Sequence, residues 1–185
     1  MGWRSDPLQA KQRVLVQEAL EYIARHQAGL PERLLDRLHQ LLQGEAIRTR
    51  PLRGARARYL ALPFLAPWIE LDPSALGLET LYDWRAALSA CFEEGEAGER
   101  RRALIRARAE QSWLFVAAAL VHEGAHAVSG LSLSRLADER LAYEAERRFL
   151  GNVLARDPAP LVANAARSLL SDADRDAWTE EGLRH

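Results

Sequence analysis

Apolar positions recur at helical spacing along most of the chain. Leu15, Ala19, Tyr22 and Ile23 repeat every three or four residues, which predicts a helix to about residue 26. Ser5-Asp6-Pro7 reads as its start, with a capping oxygen and a proline in the first turn. Gly29 interrupts the pattern, and Pro31 opens a second helix carrying Leu34, Leu35, Leu38, Leu41 and Leu42, which stops at Gly44. Between residues 47 and 73 the helical period is lost. Pro51, Gly54, Pro63 and Pro67 would break a helix there, so short extended pieces are expected at 58–62 and 68–71. Helix returns over 79–95, with Trp84, Leu88 and Cys91 on one side. The stretch 98–128 suits one long helix or two in tandem, stopped by Ser129-Gly130. Another helix begins near Ser134 and runs beyond Leu150. Asp157-Pro158 then separates two short C-terminal helices, the last capped by Ser171 or Asp172.

Composition sharpens this reading. Ala and Leu fill 63 positions, whereas Val, Ile and Thr together fill 14, a balance that favours helix and leaves room for only a small sheet. At 185 residues and 48% apolar, the chain is about one domain long and can bury a real core. The expectation is an α+β, predominantly α-helical single domain over 1–185. It divides into an N-terminal helical hairpin (1–45), a small sheet region (46–73) and a helical part (74–185).

Charge removes some functions. The 25 basic and 26 acidic residues leave a net charge of −1, which argues against a chain built to coat nucleic acid or an anionic membrane. Arg48, Arg50, Arg53, Arg56 and Arg58 form an acid-free basic run, expected here as a solvated loop. His26 and His39 fall on polar helix faces and are expected in solvent. The single cysteine, Cys91, excludes an internal disulfide framework. The N-terminus shows no apolar signal core, and the longest apolar run, Trp113 to Val121, spans nine residues, far short of a bilayer. A soluble cytoplasmic protein without membrane partners is expected.

One motif carries chemistry. His122-Glu123-Gly124-Ala125-His126 has the H-E-x-x-H spacing inside a segment already read as helix. Four residues advance a helix by slightly more than one turn, so both imidazoles project from one face and can share a tetrahedral zinc ion. Glu123, next to the first ligand, can reach a water at the open position of that metal and act as general base. Val121, Ala125 and Val128 make this turn apolar, a poor setting for unliganded histidines. Gly124 costs helix stability relative to alanine, which a close approach by another backbone or by a substrate would justify.

The third ligand has to come from elsewhere, and the next helix offers Asp138, Glu139, Glu144 and Glu146. Glu139, Ala142, Glu146, Phe149 or Leu150, and Val153 repeat along one inward stripe. Glu144 shares a face with Arg140, Arg147 and Arg148 instead, at spacings suited to surface ion pairs. A carboxylate on the buried side needs a partner, and a metal would be one. Glu139 is the preferred ligand. Glu146 is an orienting group or a substitute ligand, and Glu144 stays a weaker alternative.

His122-Glu-x-x-His126, a short loop, and then Glu139-Arg-Leu-Ala142-Tyr143 resemble the gluzincin branch of the zinc metallopeptidases (zincins), especially its small members, the minigluzincins. The resemblance covers about 30 residues, from Trp113 to Phe149. It implies a zincin-like fold with a small β-sheet before the active-site helix, Zn2+ as cofactor, and hydrolysis of a peptide or protein substrate. It also implies that an extended substrate pairs with a sheet strand near the metal, for which residues 68–71 are the candidate. Tyr143 would orient a ligand or donate to an oxyanion. The other reading is a zinc-binding interaction or regulatory protein without catalysis. A merely structural site has no use for Glu123, which favours the enzyme.

Overall fold

The computed structural model describes residues 5–52, 55–73, 76, 95–129, 135–157 and 160–178. The first helix, α1 (Ala10–Arg25), starts later than the sequence suggests. Its cap is Gln9, whose N–H donates to Gln12 Oε1 at 2.8 Å, so a glutamine pair does the work of a capping box. Asp6–Pro7 is instead a two-residue strand, β1. Proline is tolerated there because β1 lies at the sheet edge, where no N–H is required of it. Leu15, Ala19, Tyr22 and Ile23 are all buried, as their spacing requires. Helix α2 (Leu34–Gln43) buries Leu34, Leu38, Leu41 and Leu42 and ends on Gly44.

Three further strands follow: β2 (Ile47–Thr49), β3 (Ala57–Leu60) and β4 (Trp68–Leu71). The mixed sheet has the order β1-β2-β4-β3. β1 runs antiparallel to β2, β2 parallel to β4, and β3 antiparallel to β4. Thus β4, the strand expected to receive a substrate, is paired on both sides and has no free edge. β3 is the edge strand beside β4.

Ile69 and Leu71 face the core, while Glu70 points to the opposite face and is still only 1% exposed. Arg58 clamps it through Nε at 2.8 Å and Nη2 at 2.7 Å. Arg50 approaches to 3.7 Å and the Trp68 indole N–H donates at 3.1 Å. Two members of the basic run therefore turn inward onto one carboxylate, and Arg56 lies 5.5 Å over the Phe115 ring. Arg48 and Arg56 are exposed, so the run is solvated only in part. Arg53 lies outside the described residues.

The remaining helices are α3 (Glu96–Ser129), α4 (Arg135–Arg156) and α5 (Pro160–Trp178). The segment before Ser129 is one helix of 34 residues. It touches α1, α2, α4, α5 and β3, and Val116 to Val121, in its C-terminal half, are all buried. The C-terminal segment is also one helix. Val162, Ala165, Ala166, Leu169 and Ala173 continue a single buried stripe past Ser171 and Asp172, so no second cap forms there. His26 departs from expectation as well: it is buried, donates Nδ1–H to the Tyr22 carbonyl at 2.9 Å, and packs edge-on against Phe149. His39 is exposed as expected. The expected helix over 79–95, with Trp84, Leu88 and Cys91, lies outside the described residues. No helix among the described residues is long and apolar enough to cross a membrane. The protein is an α+β fold, mostly helical, with a small mixed sheet.

Candidate metal centre

Residues 122–126 fall in the last two turns of α3, directly after the buried stretch Val116 to Val121. His122 and His126 project from the same face, with ring centroids 5.2 Å apart. Gly124 faces the other way, against α2. A β-carbon there would lie 3.2 Å from Leu38 Cγ, Cδ1 and Cδ2. The glycine therefore admits a leucine side chain, where the sequence suggested another backbone or a substrate.

Helix α4 crosses this face and delivers the carboxylates. Glu139 Oε2 lies 3.4 Å from His122 Nε2 and 3.5 Å from His126 Nε2, and the three donor atoms fall within 4.8 Å of one another. Ligands about 2.0–2.1 Å from a tetrahedral zinc are separated by roughly 3.3 Å. The two nitrogen–oxygen separations already match that edge, and two imidazoles with one carboxylate form a donor set that zinc accepts. These three residues could hold a metal ion.

Glu146, two turns beyond Glu139, is buried and sits 3.2 Å from His122 Nδ1. That nitrogen is the ring atom on the far side from Glu139. Glu146 is thus placed to fix the His122 tautomer by accepting from Nδ1, leaving Nε2 to coordinate. The Tyr143 ring packs edge-on against His122, with centroids 4.6 Å apart. Glu144 is exposed and pairs with Arg148 at 2.9 Å; it stands apart from the histidines.

Glu123 is buried, and its Oε2 accepts the backbone N–H of Tyr59 on β3. The register explains the contact. Ile69, opposite Tyr59, uses its own N–H on Ala46 of the β2 side. The Tyr59–Ile69 pair is therefore the non-hydrogen-bonded kind, and Tyr59 turns its N–H away from β4. The outer edge of β3 accordingly meets the helix at Glu123, next to His122 in the chain. No side-chain pattern announces this partner, because a backbone donor has no residue type.

Charge in the cluster is tightly coupled. Burial alone would lower the His122 imidazolium, but hydrogen bonds to Glu139 and Glu146 and the nearby Glu123 charge push its pKa up to about 10. Burial likewise opposes ionisation of Glu139, yet the two histidines hold it down at about 2. Burial raises Glu123 above the ordinary carboxylate range, against the pull of His122, His126 and the Tyr59 N–H. Without a metal, a proton on His122 fills the role of the cation.

The fold and site together define a helical α+β protein with a two-histidine, one-glutamate cluster beside a sheet edge. Comparison with protein-family models, curated proteins and solved structures finds no match for this chain.

Proposed function

We propose that this protein is a zinc-dependent peptidase. The observation that carries the reading is the convergence of His122 Nε2, His126 Nε2 and Glu139 Oε2 on one point, with the neighbouring Glu123 held at a strand edge. His122, His126 and Glu139 would hold the metal. Zinc bound there would polarise a scissile carbonyl and acidify a water. Glu123 accepts the proton of the attacking water and returns it to the departing amine nitrogen. Its raised pKa suits a group that must both take and give. Glu146 orients His122, and Tyr143 flanks the same ring. The outer edge of β3, whose Tyr59 N–H is given to Glu123, offers an extended peptide backbone its remaining hydrogen-bonding groups by strand addition; the expectation for residues 68–71 passes to residues 57–60.

The test joins metal analysis to turnover. The wild-type protein should bind one zinc per chain and cut quenched fluorescent peptides. Glu123→Gln should keep the zinc and lose hydrolysis by at least about a hundredfold, the scale of a general-base contribution. Zinc binding with no hydrolysis of any peptide by the wild type would instead support the non-catalytic reading. Equal activity in Glu123→Gln would remove the proposed base.

A further inference from the structure

The connection between β3 and β4 is unusually apolar for a surface loop: Ala61-Leu62-Pro63-Phe64-Leu65-Ala66-Pro67. Leu62 is 45% exposed, Leu65 59% and Phe64 106%. Phe64 also has φ +67°, the left-handed region that a bulky aromatic residue enters only at a cost. Among the described residues nothing covers Phe64, so packing against them accounts for neither its residue type nor its backbone. Such a feature points to an interaction outside the folded chain.

Its position says which interaction. The loop leaves the C-terminal end of β3, the edge strand whose Tyr59 N–H meets Glu123. β3 ends at Leu60, and Leu62, three residues beyond Tyr59, lies at most about 10 Å from it at about 3.3 Å per residue. An extended peptide paired antiparallel to β3 runs in the opposite direction, so its residues N-terminal to the point beside Glu123 pass this loop. Antiparallel pairing is the more stable arrangement.

We propose that Leu62, Phe64 and Leu65 form an apolar subsite that selects peptides with a large apolar side chain two to four residues upstream of the bond placed beside Glu123. This rests on the peptidase reading and adds a substrate class to it. The loop gives shared binding to ground and transition states alike, so its effect falls on KM rather than kcat.

The experiment compares two sets of peptides, identical except for leucine or phenylalanine against serine at the upstream positions. The proteins are the wild type and Leu62→Ser/Phe64→Asn/Leu65→Ser; asparagine accepts the left-handed backbone at 64. The wild type should favour the apolar peptides on the order of tenfold in kcat/KM, the discrimination a single apolar contact can supply. The loop variant should lose that preference while keeping its bound zinc and its melting temperature. Binding of the same peptides to zinc-loaded Glu123→Gln, with and without the loop substitutions, separates the two claims. Loop-dependent binding of apolar peptides that the wild type never cuts would sink the peptidase reading and keep the subsite. Cleavage without preference, or preference surviving in the loop variant, would sink the subsite and keep the peptidase. Absence of both binding and cleavage would end both. Cosedimentation of the wild type with anionic lipid vesicles, lost in the loop variant, would assign the loop to a bilayer and overturn the subsite.

Discussion

His122 is gripped through both ring nitrogens, by Glu146 at Nδ1 and Glu139 at Nε2. The two carboxylates face different atoms of the ring, so their replacement should have different consequences. Glu139→Ala removes a ligand and should abolish stoichiometric zinc binding. Glu146→Ala leaves the three donors in place but frees the ring, and should weaken zinc about 10- to 100-fold, as loss of an outer hydrogen-bond partner usually does. Glu146→Gln keeps a carbonyl that accepts from Nδ1 and should fall between that variant and the wild type. Competition with a chromophoric chelator measures all three. If Glu139→Ala kept its zinc while Glu146→Ala lost it, the two roles would be exchanged. Most of this site is legible in the residues, because helical offsets of four (122 to 126) and seven (139 to 146) fix which side chains share a face. The Tyr59 N–H is not legible, and neither is the burial of Glu70, whose arginine partners lie 12 and 20 residues away and meet it only through sheet register.

Helices whose apolar stripe is long could be read from the chain, and short or edge elements could not. β4 follows its expected bounds because Trp68-Ile69-Glu70-Leu71 is a compact apolar strand between turns. β2 has three residues and one exposed position, too few to show a period. β1 hides within a sequence that equally well starts a helix. At this scale Gly124 makes the sharpest claim. Alanine would gain about 1 kcal/mol of helix propensity, but its β-carbon would meet three atoms of Leu38 at 3.2 Å. Leu38 is fully buried, and because its whole branched end is engaged, no single atom can swing aside. Overpacking of this kind costs about 1–3 kcal/mol and outweighs the propensity gain. Gly124→Ala should therefore lower stability by up to about 2 kcal/mol in denaturant unfolding. It should also weaken zinc binding, since α3 must shift beside Glu123. A stabilised Gly124→Ala protein would mean that α2 yields freely at this contact.

The whole molecule ties its stability to the occupant of the cluster. In the zinc-free protein the His122 pKa rises from 6.5 to about 10. Its contribution to folding is complete below pH 6.5 and is lost as pH climbs through 10, because the unfolded chain releases this proton first. Glu123, raised by burial, adds loss in the same direction. Glu139, lowered to about 2, contributes fully above the ordinary value of 4.5 and fails only as pH falls through 2. The zinc-free melting temperature should thus begin to fall above pH 4.5, where Glu123 starts to lose its contribution, and fall further from about pH 6.5 toward 10 as His122 follows, with a shallower alkaline slope in His122→Gln. Zinc reverses the trend, because it binds the neutral imidazole and must displace the proton. Below the His122 pKa each pH unit should change zinc affinity about tenfold. At pH 8, with free zinc a hundredfold above its dissociation constant, the gain is about 2.7 kcal/mol, or about 5–10 °C in a chain of this size. The same zinc concentration at pH 6 should give almost no shift. Scanning calorimetry with and without zinc at the two pH values decides the matter. A zinc shift as large at pH 6 as at pH 8 would place the metal away from His122.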